Sequence, residues 1–423
     1  MNFSVQTSFM IFRVFIPLTI LGLQLLLYVR TARWIRARFR ENQRPLWIAR
    51  ALFLLFNAAA LYAVYIRPQV SDFPQWFIYS GVYPYFIWHG ATFFIGIVVL
   101  AVSLIKLPFK GAFWLLERFR PSRARVEAIR QKPAYQKFNA SRRSFLRQSM
   151  YGLTAASFGG SAYGLVLGKT LYDITSAEFT IPNLSPSLAG FSIALVSDIH
   201  SSPFMSKRDM DEYVALVNGL KADMIVVDGD FVNSQVEEVY PFAEAFSNLR
   251  APHGVYGVMG NHDFYNHDPE LVAREVDACG VKLLRDDKTI IEKDGGQFYL
   301  VGVDDVGRAN NSMIRLDEAV GYAPLEIPRI LLCHRPYYLP QAAARNIDLV
   351  LSGHTHGGQV VLGRFGDIVL APASIASRYI SGKYNIGKTN MYISRGIGTV
   401  GLPIRLNCPP EITRITLVPP ANA

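Results

Sequence analysis

Phe191-Ser192-Ile193-Ala194-Leu195-Val196-Ser197-Asp198-Ile199-His200 decides the fold of this chain. An almost unbroken apolar run too short for a core helix reads as a β-strand buried on both faces, and it stops at an Asp-x-His. The same texture recurs downstream. Residues 224–228, 254–259, 298–303, 329–333, 349–352, 391–394 and 412–417 read as further strands, and 207–220, 236–249 and 269–279 as amphipathic helices. Strand-helix alternation followed by a strand-rich half implies packed α/β layers from about Leu171 onward.

Five of these strands end in polar clusters: Asp198-Ile199-His200, Gly229-Asp230, Gly260-Asn261-His262-Asp263, Cys333-His334 and Gly353-His354-Thr355-His356. Ligands of open α/β sheets bind beyond the carboxyl ends of strands, so the five loops should converge on one edge. Five of the eight histidines lie in these clusters; His89, His253 and His267 do not. Imidazole nitrogens with carboxylate and amide oxygens suit a divalent cation. A carboxylate can also bridge two cations, which two-metal sites hold ~3.5–4 Å apart. Taken singly, the residues have plainer readings. His200 fits a hydrogen-bonded loop, His334 a buried core position and Asp230 a turn. Asp228 reads either as a group supporting the ligands or as a strand-end turn residue, the latter preferred, and His253 and His267 as surface residues. The order and spacing of all five clusters outweigh these separate readings.

Together the clusters closely resemble the pattern of the calcineurin-like metallophosphoesterase superfamily, from about Phe191 to the C-terminus. The resemblance implies a layered α/β/β/α sandwich that hydrolyses phosphate esters or anhydrides with two divalent ions, Mn²⁺, Fe²⁺ or Zn²⁺. It implies that Asp198, His200 and His356 hold the first ion, that Asp230 bridges, and that Asn261, His334 and His354 complete the second. It makes His262 the catalytic acid that protonates the leaving oxygen, with a hydroxide shared between the ions attacking phosphorus directly. One position departs: Asn233 stands where many relatives carry an Asp paired with the catalytic His. That leaves Asp263 or Asp304 to take the role, or His262 a weaker acid. A metal-stabilised scaffold without turnover is the non-enzymatic alternative. Gly357-Gly358-Gln359 and the tail from Gly398 to Ile412 look like a bacterial branch of membrane-bound phosphodiesterases. Some relatives of that branch cleave UDP-2,3-diacylglucosamine in lipid A synthesis, which is the alternative substrate.

Toward the N-terminus the composition changes. Hydrophobic residues make up 50% of the 423, and the net charge is +10. Residues 1–170 carry 22 Lys and Arg against 4 Asp and Glu, while residues 171–423 carry 21 against 29. The basicity belongs to the apolar part, and the acidic remainder argues against a nucleic-acid partner. Apolar stretches at about 14–29, 51–66 and 86–107 approach the ~20 residues that cross a bilayer, with Trp47, Trp76, Tyr79, Tyr83, Tyr85 and Trp88 at their edges. Arginines crowd the loop 30–50 and basic residues the segment 106–147, while 67–84 carries little charge. The positive-inside rule then puts the N-terminus outside and the two basic loops in the cytoplasm.

Ser141-Arg142-Arg143-Ser144-Phe145-Leu146, followed by the mildly apolar 150–167, resembles a twin-arginine export signal; it also fits a fourth span. Both place Lys169 and the remainder of the chain outside the cytoplasm. The expected organisation is therefore a membrane region at 1–140, a signal or fourth helix at 141–170 and a metallophosphoesterase domain at 171–423. Its location would be the inner membrane, multi-pass, with the domain extracytoplasmic. The substrate expected there is a lipid-linked or envelope phosphoester; the segment from Ile375 to Ile380, with Arg378 and Lys383, reads equally as a contact for its lipid phosphate and as an ordinary loop with a few apolar contacts. Cys279, Cys333 and Cys408 are too few and scattered for a disulfide framework.

Overall fold

The computed structural model describes residues 3–66, 73–118, 120–305, 312–366, 368–375 and 377–420. It divides into two compact units, Met1–Tyr163 and Gly164–Ala423.

The first unit is helical. Helices Phe3–Arg38 and Arg44–Ile66 contain the first two apolar stretches, and a third run, Ile78–Leu116, contains the last. Among the described residues, Ile78–Leu116 is the one helix long and apolar enough to cross a bilayer. The start of the loop at 67–84 lies outside the described residues. Inside this apolar unit Gln24 Oε1 accepts hydrogen bonds from Asn57 Nδ2 (2.7 Å) and Trp88 Nε1 (3.2 Å). One amide thereby ties three helices, where an unsatisfied polar group would be costly. The twin-arginine-like stretch lies within the helix Pro133–Val166.

The second unit is built on strands β1 (Asp173–Thr180), β2 (Ser192–Ser197), β3 (Met224–Asp228), β4 (Val255–Val258), β5 (Lys282–Leu283), β6 (Asp287–Lys293), β7 (Gly296–Val303), β8 (Arg329–Cys333), β9 (Leu349–Ser352), β10 (Gly363–Phe365), β11 (Ile368–Leu370), β12 (Gly382–Ile386), β13 (Thr389–Ile393) and β14 (Glu411–Val418). One six-stranded sheet runs β1-β14-β2-β3-β4-β5, the other β12-β13-β9-β8-β7-β6, and β10-β11 form a separate hairpin. β2, β3 and β4 are parallel, as are β7, β8, β9 and β13.

Side-chain alternation explains the layers. Ile193, Leu195, Met224 and Val226 of the first sheet pack against Phe298, Leu300, Ile330, Leu332, Leu349 and Leu351 of the second. Their neighbours Ala194, Val196, Ile225 and Val227 face the helices Lys207–Gly219, Val239–Phe246 and Pro269–Ala278. Leu331, Cys333 and Val350 face Leu316, Ala319, Leu339 and Ala342, which lie on helices Ser312–Val320 and Leu339–Ala344. The result is a helix-sheet-sheet-helix sandwich in which the central strands are covered on both sides, hence their unbroken apolar runs. The helix expected over 236–249 opens instead as a 3₁₀ turn, Val236–Glu238, and its α-helical part ends at Phe246. The cause is Glu238, whose carboxylate is drawn back to the amides of residues 233–235.

Candidate metal centre

The carboxyl ends of β2, β3, β4, β8 and β9 meet along one edge, so loops from both sheets share a site. Asp198 (φ 52°), His200 (φ 48°), Asp230 (φ 53°), His354 (φ 72°) and His356 (φ 50°) all lie in the left-handed backbone region. Non-glycine residues are rarely held there, at roughly 1–3 kcal/mol each, and such strain clusters at functional sites. Two glycines make the crowding possible: a Cβ on Gly260 would overlap Asp230, and one on Gly353 would overlap Ser197 and Asp198.

The structure gathers the side chains in two sets that share Asp230. In one, His200 Nε2 lies 3.1 Å from His356 Nε2, His356 Nε2 3.3 Å from Asp198 Oδ1, and His200 Nε2 3.5 Å from Asp230 Oδ2. In the other, His334 Nε2 is 3.0 Å from Asp230 Oδ2, and His354 joins the pair within metal-binding range. His334 Nε2 is also 3.9 Å from Asp198 Oδ1, so the two sets adjoin. Asn261 is buried with its Oδ1 lacking any hydrogen-bond partner. A buried, unpaired amide oxygen beside imidazoles and carboxylates is a donor set that suits a hard-to-borderline divalent cation.

Supporting contacts orient these groups. His334 Nδ1–H donates to the Asp228 carbonyl (2.8 Å), which orients the ring so that Nε2 faces Asp230. Ser197 Oγ donates to Asp198 Oδ2 (2.5 Å), and the His354 amide donates to Asp198 Oδ1 (2.9 Å). Burial holds the His200 imidazole well below its ordinary range, with neighbouring His262 adding to the effect. Burial likewise depresses His354, helped by His334 and Arg335, and takes His356 down to about 4. These rings are neutral at pH 7, the form that ligates metal. His334 is the exception: burial would lower it, but Asp230 overrides this and holds it well above the usual value.

A model of the calcineurin-like phosphoesterase family matches residues 191–358. A transmembrane protein with metallophosphoesterase domain from Danio rerio is 30% identical over 328 residues, covering 75% of this chain and 72% of its own length. The metallophosphoesterase YkuE of Bacillus subtilis (strain 168) is 31% identical over 290 residues, 66% of this chain and 97% of YkuE. The chain belongs to the calcineurin-like phosphoesterase family. Phosphodiesterase YaeI of Escherichia coli (strain K12) is a further relative, 28% identical over 281 residues, covering 66% of this chain and 99% of YaeI.

His262 sits half-buried beside the candidate ligands, its ring edge-on to His200 at 4.6 Å and its nitrogen within metal-binding range of His200 and Asp230. Its amide donates to Asp230 Oδ1 (2.7 Å) and its Nδ1–H to the main-chain carbonyl of Asn233 (2.5 Å). This corrects the expectation about position 233. Neither Asp263 nor Asp304 takes the role of the missing carboxylate. Asp263 accepts the amides of Phe231, Val232 and Gly260, and Asp304 pairs with Arg285. Asp228 is also corrected: it is fully buried, its carbonyl orients His334, and burial, with Asp198 and Asp230 nearby, pushes its carboxyl up to about 8.

His253 packs against Phe191, His267 is exposed and His89 is buried in the helical unit. In the segment expected to meet substrate, Tyr379 and Ile380 are buried, Lys383 Nζ donates to the Glu178 carbonyl, and Arg378 lies over Tyr379. The sequence reading missed three supporting residues. Glu238 Oε2 accepts the amides of Asn233, Ser234 and Gln235 at 2.9, 2.7 and 3.0 Å. Arg335 reaches Asp305 at 2.6 Å and the Tyr265 hydroxyl at 3.3 Å. Arg405, fully buried, donates to the carbonyls of Arg395, Gly396, Gly398 and Cys408. Only Arg335 carried a signal, its place next to His334.

Proposed function

We propose that this chain is a membrane-anchored, metal-dependent phosphohydrolase that cleaves a phosphodiester or pyrophosphate, lipid-linked or part of the cell envelope. The observation that supports it most is the gathering of Asp198, His200 and His356 in one set and Asp230, His334 and His354 in another, with Asp230 Oδ2 3.5 Å from His200 Nε2 between them. In this reading Asp198, His200 and His356 would hold one divalent ion and Asn261, His334 and His354 a second, with Asp230 available to both. Bound there, such ions supply Lewis-acid polarisation of phosphoryl oxygens and a nucleophilic water at neutral pH. The protein supplies the rest. Asp230 fixes His262 through its amide, and the Asn233 carbonyl holds the ring by Nδ1–H, so that Nε2 can donate a proton to the leaving oxygen.

Anchoring is supported by the apolar helix Ile78–Leu116 and by the name of the Danio rerio relative; further spans at about 14–29 and 51–66, and a twin-arginine-like signal or fourth span at 141–170, extend this reading from the sequence. The arginine-rich loops would lie in the cytoplasm and the catalytic unit on the opposite face. The ester class is supported by the name of the Escherichia coli phosphodiesterase.

Hydrolysis of bis-p-nitrophenyl phosphate by the detergent-purified full chain, with Mn²⁺, Fe²⁺ or Zn²⁺ added in turn, tests the proposal. Turnover is expected, and His262→Ala should reduce it by about 10²–10⁴-fold while bound metal is retained. No turnover with any ion would leave a metal-binding scaffold.

A further inference from the structure

Exposed apolar side chains are not spread evenly over the second unit. Beyond residue 175, Tyr240, Tyr265, Ile290, Tyr322 and Leu325 are exposed at scattered places. Leu362, Phe365, Ile368, Leu370 and Ile375, by contrast, fall within fourteen residues, on the hairpin β10-β11 and the turn after it. Phe365 (70% exposed) and Ile368 (67%) are cross-strand partners at the tip, and Ile375 is 92% exposed. Single exposed apolar residues need no explanation, but a contiguous group of this kind marks an interaction surface.

The base of the hairpin packs beside the turn that carries His356. A two-stranded ribbon is marginal by itself, and this one is fastened at its base by Val361, Ala371 and Cys408, which are buried together with Val369 beside them. Cys408 Sγ–H donates to the His356 carbonyl (3.2 Å), and Gly358 packs so closely on Ala371 that a side chain there would collide. The same contacts that seat the ligand His356 therefore seat the hairpin. Arg364, on β10, and Arg378, just after the turn, are both exposed. Apolar side chains flanked by exposed arginines match a bilayer interface, where hydrocarbon lies beneath anionic phosphates. The chain also carries an apolar helix long enough to cross a bilayer.

We propose that the β10-β11 hairpin is a membrane-contacting lip, inserting Phe365 and Ile368 among acyl chains and holding the metal centre against a bilayer-borne phosphoester. This deepens the phosphohydrolase reading and rests on it for the substrate. Insertion itself can be tested without turnover.

The full chain is reconstituted in vesicles of equal parts phosphatidylcholine and phosphatidylglycerol that include doxyl-labelled phosphatidylcholine. A bimane label is attached at Phe365→Cys or, for comparison, at Tyr322→Cys, and signal from the native cysteines is subtracted using the unsubstituted chain. The label at 365 should be quenched severalfold more than the label at 322. Equal quenching would overturn the lip, and so would shielding of the 365 label that depends on protein concentration rather than lipid, which would indicate a second copy. In the same vesicles, Phe365→Ser combined with Ile368→Ser should slow hydrolysis of a p-nitrophenyl phosphodiester of diacylglycerol by about tenfold. Hydrolysis of soluble bis-p-nitrophenyl phosphate should be unchanged. Equal loss on both substrates would overturn the lip, and absence of all turnover would sink the hydrolase while the quenching still decides the lip.

Discussion

At position 233 it is the backbone, not the side chain, that meets His262. The acceptor for His262 Nδ1–H is a main-chain carbonyl, which every residue type supplies. Asn233→Asp and Asn233→Ala should therefore change kcat on bis-p-nitrophenyl phosphate by less than about threefold, because neither alters that acceptor. Glu238 is the side chain that matters here, since it holds the amides of residues 233–235 and so aims the carbonyl. Glu238→Ala should lower kcat by about tenfold with bound metal intact, and the acidic limb of the pH–rate profile should shift as the ring loses its fixed partner. A profile shape unchanged from that of the unsubstituted chain would assign Glu238 a structural role only. The contrast also explains what could be read beforehand. Asp198, His200, Asp230 and the others announce themselves because a ligand is a side-chain identity in a motif. Glu238 acts on backbone amides, which carry no identity, so nothing in Gln235-Val236-Glu237-Glu238 points to His262.

The segment from Arg395 to Glu411 behaves as one element although it contains little regular structure. Gly396 and Gly398 lie so close to Asp198 and Ile199 that a Cβ on either would collide. The Gly398 amide donates to the Asp198 carbonyl (2.7 Å), and Arg405 knits the loop from inside. Arg405→Met leaves several buried carbonyls unpaired and should cost roughly 3 kcal/mol or more of stability, with weaker metal binding because Asp198 loses its backing. Thermal unfolding and metal titration of the purified chain would check this.

At the far end of the segment Glu411 accepts from Arg395 (amide 2.9 Å, Nε 3.2 Å), Tyr392 (2.9 Å) and Thr175 (2.7 Å). Burial would raise its carboxyl, but Arg395 overrides that and holds it below the ordinary value of 4.5. A depressed carboxyl contributes stability above its unfolded pKa and loses it as pH falls through the folded one. Glu411→Gln should thus be less stable by about 1–3 kcal/mol at pH 7, and the gap should close below about pH 4.5. A gap constant from pH 7 down to the acid transition would refute the assignment. The central strands were legible because burial on both faces leaves unbroken apolar runs. β1, β6, β12 and the β10-β11 hairpin were not, because edge and exposed strands mix polar residues with apolar ones and the period is lost.

The division of charge along the chain follows the pattern that the positive-inside rule describes. Residues 1–170 hold 22 basic residues against 4 acidic, and the phosphoesterase part is net acidic. The basic residues are themselves grouped: seven arginines in 30–50 and twelve Lys and Arg in 106–147, with a single arginine, Arg67, between those segments up to Pro84. Alternation of densely and sparsely basic segments between apolar stretches is what translocation selects. Each dense loop resists crossing, so the sparse loop and the acidic domain are the parts expected on the outer face. An alkaline phosphatase reporter joined after Ala423 should therefore be active, and a fluorescent reporter that folds only in the cytoplasm should be dark at the same position. Replacing the arginines of 30–50 with glutamine should reduce that asymmetry, because the rule counts Lys and Arg rather than net charge. A reporter bright in the cytoplasm would put the metal centre on the inner leaflet. The envelope substrate would then give way to a nucleotide-linked lipid of the UDP-2,3-diacylglucosamine kind, with the lip meeting the opposite membrane face.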